Sequence, residues 1–248
     1  MSACGYMLCT TPRTGSTLLC ALLAATGRAG VPESYFRAQD IDARVDDWGL
    51  RLQDGSFDFG EFVASVRNQG TTANGVFGVR MMWGTLTELV GALRAAGQTA
   101  TDHQVLVRTF GELRFVYLRR EDLVAQAVSR LRAEQTGVWH VRGAADASPS
   151  AAAARYDRVA IQGYLEEAVA HDDAWNRWFA EHGLSPLRLT YEDLVSGQDE
   201  VLRTLLGHIG VAPPAVPLQV SNRRMADSVS LEWCDRFRTE ANMKRTGR

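Results

Sequence analysis

The chain has 248 residues, of which 46% are hydrophobic and 23% charged, with a formal net charge of −2 and a mean hydropathy of −0.17. This composition is typical of a globular protein with a large core, and it excludes the disordered, collagen-like and coiled-coil classes. The small net charge removes any general electrostatic case for binding nucleic acid. With no visible signal peptide and no apolar run near the roughly 20 residues of a membrane span, we expect a cytoplasmic protein that does not cross a membrane.

Short apolar runs alternate with helical patterns along the chain. The patterns predict strands over residues 6–10, 76–80, 114–118 and 187–191, and helices over residues 17–26, 59–66, 84–96, 121–135, 150–182, 198–209 and 228–240. Residues 31–56 are polar and predicted to be irregular, residues 143–149 form a loop, and residues 210–217 form a proline-rich connector. The alternation predicts an α/β fold, with one domain over residues 1–248 and a P-loop-like central parallel sheet flanked by helices.

The turn between the first strand and the first helix has the chemistry of an anion site. Its sequence, TPRTGST, covers residues 11–17. Backbone N–H groups of such a turn, together with the partial positive charge of the helix N-terminus, attract phosphate. Gly15 lets the backbone approach the anion, Ser16 and Thr17 supply hydroxyl donors, and Arg13 can donate two parallel hydrogen bonds. The alternative interpretation is an ordinary βα turn with Ser16 capping the helix.

A second arginine pair, Arg119 and Arg120, follows the clearest strand of the sequence. It predicts a second anion near the first, although such a pair is also common at solvated strand ends. The first loop lacks the lysine and the second glycine of a Walker A motif, and no strand ends in an aspartate that could hold magnesium. We therefore expect a nucleotide with charge at both its 5′ and 3′ positions, bound without a metal.

Several segments, in order along most of the chain, resemble the PAPS-dependent sulfotransferases, and among them the bacterial trehalose 2-sulfotransferase family (PAPS is 3′-phosphoadenosine-5′-phosphosulfate). The segments are PRTGSTLL (12–19), GVPESYF (30–36), NGVFGVRMMW (74–83), RED (120–122), QAVS (126–129), QTGVW (135–139), YEDL (191–194), RMAD (224–227) and EW (232–233). The resemblance implies sulfuryl transfer from PAPS to a hydroxyl group of a carbohydrate or glycolipid, a trehalose-like sugar among them.

The resemblance also implies roles for individual residues. The resemblance implies that the first loop binds the 5′-phosphosulfate and that Arg13 stabilises charge on the leaving phosphate. The loop residues concerned are Arg13, Thr14, Gly15, Ser16 and Thr17. The 3′-phosphate falls to Arg120 and Ser129, and Arg224 lies in a segment that closes over the nucleotide. Asp122, Gln126 and Ser129 are spaced to share one helix face. An aromatic wall for a sugar ring is expected from Tyr35, Trp83 and Trp139, although each could equally be a core residue.

The sequence departs from the family pattern at the base. In the family's Gly-x-Pro-x-Glu-Phe-Phe segment the glutamate accepts the proton of the acceptor hydroxyl, and this chain has Ser34 at that position. Glu33, one residue earlier, is the carboxylate we expect to replace it and, with Ser34, to contact the acceptor; His140 is the alternative base.

Two other functions stay open on the sequence alone. One is a P-loop kinase that uses ATP and magnesium, and the other is a homologue that binds PAPS or its product PAP without turnover. A homodimer is also expected by analogy with the family.

Overall fold

Four parallel strands form the central sheet of this protein, seen in a computed structural model that describes residues 5–97, 99–139, 154–214 and 228–245. The strands are β1 (Gly5–Thr10), β2 (Phe77–Met82), β3 (Leu113–Arg119) and β4 (Leu187–Thr190), and their spatial order is β2-β1-β3-β4. The chain thus moves from β1 to one neighbour, β2, and then crosses to β3 on the other side. In parallel sheets, ligands bind outside the carboxyl ends of the strands where the order reverses, which here is at β1.

Helices cover both faces of the sheet, as expected for an α/β fold. They are α1 (Ser16–Ala25), α2 (Ala38–Asp47), α3 (Phe59–Gly70), α4 (Trp83–Ala95), α5 (Asp102–Phe110), α6 (Leu123–Thr136), α7 (Arg158–Glu181), α8 (Tyr191–Ser196), α9 (Gln198–Ile209) and α10 (Ser228–Arg245). Alternate residues of β1 point to opposite faces, as in any strand. Met7 and Cys9 pack with α3, α4, α5 and α7, whereas Tyr6 and Leu8 pack with α1 and α9.

The register of the strands brings three chain segments to one edge of the sheet. Thr10 at the end of β1 is paired with Met82 of β2 on one side and with Leu118 of β3 on the other. The segments that follow these three residues therefore lie side by side. They are the first loop, the start of α4, and the turn that carries Arg120.

The structure differs from the predicted elements in three places. Residues 31–56 were expected to be irregular, but they contain α2, and the helix α5 was not predicted at all. In α2 the single buried residue is Val45, so the helix has almost no hydrophobic period for a sequence pattern to reveal. The long helix expected from residue 150 begins at Arg158, where the Asp157 side chain accepts hydrogen bonds from two backbone N–H groups and caps it.

Some predicted features fall outside the described residues. They are the loop over residues 143–149, the end of the connector over residues 210–217, and two candidate site residues, His140 and Arg224.

Candidate anion-binding and acceptor site

The loop after β1 presents an uncapped helix N-terminus to a cavity. The N-cap of α1 is Gly15, which has no side chain to accept a hydrogen bond from the first N–H groups of the helix. Gly15 has a φ of +80°, and a Cβ atom there would lie 2.7 Å from Cδ2 of Tyr191, so glycine is required on both counts. Gly15, Ser16 and Thr17 all line the cavity, so the N–H groups at this end of α1 are positioned to donate to an anion.

Side chains from other elements hold the loop in place. The Thr10 and Thr14 hydroxyl oxygens lie 2.5 Å apart, and Thr14 also donates to the carbonyl oxygen of Thr11 at 3.0 Å. From α6, Nε2 of Gln126 donates to the Thr11 hydroxyl and to the Pro12 carbonyl oxygen, at 2.9 and 2.7 Å. Thr14 is buried and is not among the residues that line the cavity. Its hydroxyl braces the loop, and only its backbone can serve an anion.

Arg13 extends along the loop toward α6. Its Nε donates to the Ser129 hydroxyl at 2.9 Å, and its Nη1 donates to the carbonyl oxygen of Trp139, whose ring it also faces. Burial, and then the neighbouring charge of Arg120, lowers the pKa of Arg13 to about 10. The residue also has a φ of +68°, in the left-handed region that side chains rarely adopt. A buried cation in a strained conformation is typical of a binding site.

Arg120 is the second cation at this edge of the sheet. Its guanidinium carbon lies 4.4 Å from the ring centroid of Tyr191, and burial lowers its pKa. The Nε atom of Arg120 is buried, and it has no hydrogen-bond partner in the described parts of the chain. Arg119, by contrast, has a side chain that is 43% exposed, forms an ion pair with Glu121 and does not line the cavity. The structure therefore separates the pair predicted from the sequence into one inward and one outward arginine.

The cavity that these groups border has a volume of about 850 Å³, within the range of ligand sites. Residues of the first loop, of α2, of the β2–α4 junction, of α6, α8 and α10 line it. Among the polar ones are Arg13, Ser16, Thr17, Ser34, Arg37, Gln39, Arg80, Thr85, Glu88, Arg120, Asp122, Ser129, Arg130, Glu134, Glu167, His171, Gln198, Ser230 and Arg238.

Arg80 is a site residue that the sequence analysis left without a role. It lies near the end of β2 and donates from Nε to the Ser34 hydroxyl and from Nη1 to the Thr17 hydroxyl, each at 2.9 Å. It thus connects the start of α1 with the GVPESYF segment, which is fixed to β2 by a hydrogen bond from the Arg80 N–H to the Glu33 carbonyl oxygen. A strand-end arginine three residues before the next helix was the available signal.

Glu33 and Ser34 face opposite ways. The Ser34 hydroxyl lies in the cavity, whereas Oε2 of Glu33 accepts from Arg44 of α2 at 3.1 Å and the Glu33 side chain is about half exposed. Burial alternates along this segment, with Pro32 and Ser34 buried and Glu33 exposed, so Ser34 is the one of the two that faces the cavity. The structure does not bring the carboxylate of Glu33 into the cavity.

Of the three aromatic residues expected to form a sugar-binding wall, only Trp139 lines the cavity. Tyr35 is buried and donates its hydroxyl to the carbonyl oxygen of Val31 at 2.7 Å. Trp83 packs edge-on against Trp175, with their ring centroids 5.2 Å apart. Tyr35 thus belongs to the hydrophobic core, and the half-buried Trp83 packs against it, which was the alternative for each.

The three polar residues of α6 that were expected on one helix face have separate roles. Asp122 is the N-cap of the helix, since its side chain accepts from the Ala125 N–H, and both its oxygens accept from Arg238 of α10 at 2.7 and 2.8 Å. Gln126 braces the loop, and Ser129 accepts from Arg13. The ion pair with Arg238 brings α10 over the cavity, where Cys234 also lines it.

In the described ranges, no group of three or more His, Cys, Asp or Glu residues could hold a metal ion. No helix in those ranges is long and apolar enough to cross a membrane.

Comparison with known proteins confirms the resemblance drawn from the motifs. The family model described as Stf0 sulphotransferase matches residues 5–240. The chain is 33% identical over 257 residues to the trehalose 2-sulfotransferase of Mycobacterium tuberculosis (strain Erdman), and 32% identical over 266 residues to that of Mycolicibacterium smegmatis; each alignment covers 95% of both proteins. A solved sulfotransferase domain from the curacin biosynthetic pathway is similar with a TM-score of 0.47 and 15% identity, over 85% of this chain and 75% of that one.

Proposed function

Because this chain belongs to the Stf0 sulphotransferase family, we propose that it transfers a sulfuryl group from PAPS to a hydroxyl group of a carbohydrate or glycolipid, without a metal ion. The trehalose 2-sulfotransferases that it resembles make a trehalose-like sugar the first acceptor to test.

The observation that carries this proposal is the pair of buried cations beside the uncapped start of α1. Burial lowers the pKa of both Arg13 and Arg120, and Arg120 lowers that of Arg13 further. Keeping two guanidinium groups charged in each other's presence costs free energy unless an anion neutralises them. One anion at the loop and a second beside Arg120 fit a nucleotide that carries charge at its 5′ and 3′ positions.

The residues present fit PAPS, which when bound supplies the sulfuryl group and a phosphate as leaving group. The backbone N–H groups of residues 14–17, the Ser16 and Thr17 hydroxyls and Arg13 would hold the 5′-phosphosulfate. Arg120 would hold the 3′-phosphate, with Ser129 nearby and Arg224 from the segment outside the described residues. These donors are already braced by Gln126, Thr10 and Thr14, so little reorganisation opposes the stabilisation of charge on the leaving phosphate.

Arg80 extends this set toward the acceptor. Its guanidinium joins Thr17, at the proposed phosphosulfate, to Ser34, where the family has its glutamate. We assign to it the orientation of both hydroxyls and a positive charge next to the group that is transferred.

Two residues are candidates for the base that accepts the proton of the acceptor hydroxyl. Glu33 can act only if its carboxylate exchanges Arg44 for the acceptor hydroxyl, and His140 is the alternative. A Glu33→Ala variant addresses this directly: full activity in the variant would exclude Glu33 as the base.

The first experiment is a thermal-shift measurement with PAP, the desulfonated product, and with ATP–magnesium at matched concentrations. A ligand at 100 times its Kd adds about 2.7 kcal/mol of stability, which for a protein of this length raises Tm by about 5 °C or more. We expect PAP to stabilise the protein without magnesium. Stabilisation by ATP–magnesium and not by PAP would refute the proposal in favour of a P-loop kinase.

Arg119 and Arg120 provide a matched pair of variants for the same assay. Arg120→Met should abolish the shift produced by PAP, because Arg120 is the inward cation. Arg119→Met should leave it unchanged, because Arg119 is partly exposed and outside the cavity. Equal shifts in the two variants would contradict the assignment of the second anion site.

Turnover is tested with PAPS labelled in its sulfuryl group and trehalose as acceptor. Transfer of label supports an enzyme. Tight binding of PAP with no transfer to any sugar would instead support the non-catalytic homologue.

A further inference from the structure

The wall of the cavity next to β2 is separate from the wall that carries Arg120. Because β1 lies between β2 and β3 in the sheet, segments that follow β2 and β3 flank the first loop on opposite sides. A nucleotide that extends from the loop to Arg120 therefore occupies the β3 side. The β2 side, formed by the start of α2 and by residues 80–88, is left for the acceptor.

Among the residues that the structure describes, four carboxylates line the cavity, and three of them are already engaged. Asp122 is bound to Arg238 and caps α6. Glu134 and Glu167 both accept from Arg130, at 3.1 Å each. The fourth, Glu88, has no ion pair and no side-chain hydrogen bond to any residue in the described ranges, and it is the one on the β2 side.

The position of Glu88 on α4 sets what it can reach. The core-facing residues of this helix are Leu86, Leu89, Val90 and Leu93. Gly84, Thr85 and Glu88 lie on another face, spaced three and four residues apart, and all three line the cavity. At 1.5 Å of rise per residue, Glu88 lies about 9 Å along the helix from the end of β2. The reaction takes place at the first loop, so the carboxylate of Glu88 faces a part of the acceptor that is remote from the reacting hydroxyl.

The other polar residues on this side of the cavity are hydrogen-bonding groups. Arg37 and Gln39, from the start of α2, line the cavity there together with Thr85. Arg37 is itself held by two hydrogen bonds to Asp40, at 2.7 and 2.9 Å. The wall thus has a carboxylate, the Arg80 guanidinium, an ion-paired guanidinium, an amide and a hydroxyl, so it offers both acceptors and donors, and the charge of Glu88 offsets that of Arg80. Such a surface matches a neutral polyhydroxy ligand, whereas Glu88 would repel an anionic one.

We propose that Glu88 is a specificity-determining residue that accepts hydrogen bonds from hydroxyl groups of the acceptor sugar remote from the reacting hydroxyl. It selects acceptors that extend beyond the reacting ring, such as neutral disaccharides, over single sugar rings. The inference rests on the proposed function, because it assumes a carbohydrate acceptor on the β2 side.

The test compares Glu88→Ala and Glu88→Gln with the wild type, using PAPS, trehalose and methyl α-glucoside, which contains one of the two rings. Hydrogen bonds to a charged group are worth enough for Glu88→Ala to lower kcat/KM for trehalose by about 10- to 100-fold. The loss should lie mainly in KM, since Glu88 is remote from the reacting group. Methyl α-glucoside should be affected by less than about threefold. Glu88→Gln keeps one hydrogen-bond acceptor and should recover part of the loss.

Two measurements separate this inference from its premise. The Kd of PAP, measured by calorimetry, should be the same in the wild type and in both Glu88 variants. Glu181 is an exposed residue at the end of α7, and Glu181→Gln is the control for the removal of a negative charge. If the wild type transfers sulfate to trehalose and Glu88→Ala does so equally well, the inference is wrong and the proposed function stands. If the wild type binds PAP but sulfates none of a panel of neutral mono- and disaccharides, the carbohydrate acceptor and this inference are both refuted.

Discussion

Replacing Arg13 by glycine should make the ligand-free protein more stable while it destroys the anion site. Burial lowers the pKa of Arg13 from its ordinary value to about 10 in the folded protein, so a charged guanidinium at neutral pH costs the folded state about 3 kcal/mol. The φ of +68° adds about 1 kcal/mol for a residue with a side chain.

Two effects oppose this gain. Arg13→Gly loses the hydrogen bonds to the Ser129 hydroxyl and the Trp139 carbonyl oxygen, at about 1 kcal/mol each. Glycine also adds roughly 1 kcal/mol of conformational entropy to the unfolded chain. We expect a net stabilisation of about 1 kcal/mol, which corresponds to a rise in Tm of about 3 °C.

The assay is urea unfolding of ligand-free protein followed by tryptophan fluorescence, with a parallel PAP titration. Arg13→Ala is the companion variant, because it removes the charge and keeps the strain. The strain that glycine relieves and the unfolded-state entropy that it adds are each about 1 kcal/mol and cancel, so the two variants should be about equally stable. As the pH rises through about 10, Arg13 of the wild type loses its proton in the folded state before it does in the unfolded state. Its cost is then relieved, and the advantage of the glycine variant should shrink. An Arg13→Gly protein that is less stable than the wild type, or that still binds PAP, would refute the reasoning.

Two further substitutions test how the loop and α10 are held. Gly15→Ala forces a Cβ atom to within 2.7 Å of Tyr191 at a φ of +80°, so it should lower the unfolding free energy by about 1–3 kcal/mol and weaken PAP binding in the thermal-shift assay. The control is Gly91→Ala in α4, where a Cβ atom meets nothing within 4 Å, and it should raise the unfolding free energy by about 0.5–1 kcal/mol. Similar effects of the two substitutions would count against the close contact at Gly15. In Asp122, burial raises the pKa, but the hydrogen bonds from Ala125 and from Arg238 outweigh it and lower the pKa overall. The resulting stability is present above the unfolded-state pKa of about 3.9 and is lost as the pH falls through the lower folded-state value. In urea unfolding over a pH series, the unfolding free energy of the wild type should therefore fall more steeply in acid than that of Asp122→Asn, which keeps the helix cap. Parallel curves for the two proteins would contradict this.

The sequence alone was sufficient for the α/β fold and the family, and it placed the candidate anion loop between a strand and a helix. These features depend on residues that are close together in the chain. The loop requires only a strand, Arg13, Gly15 and the start of a helix in succession. Local sequence patterns predict the strand and the helix without knowledge of what packs against them. The motifs that carry the family resemblance are contiguous in the same way, and the match over residues 5–240 confirms them.

Only the tertiary structure decided which side chains meet. Arg80 lies 46 residues from Ser34 and 63 from Thr17, and it bonds to both because β2 runs beside β1. Ser34 faces the cavity, whereas Glu33 faces Arg44. No local pattern predicts which of two neighbouring side chains points inward. Whether an aromatic residue such as Trp83 serves the core or a ligand likewise depends on what packs against it, here Trp175 from a helix far along the chain. Contacts over such separations are set by the packing of whole elements, and that is information which a local pattern does not contain.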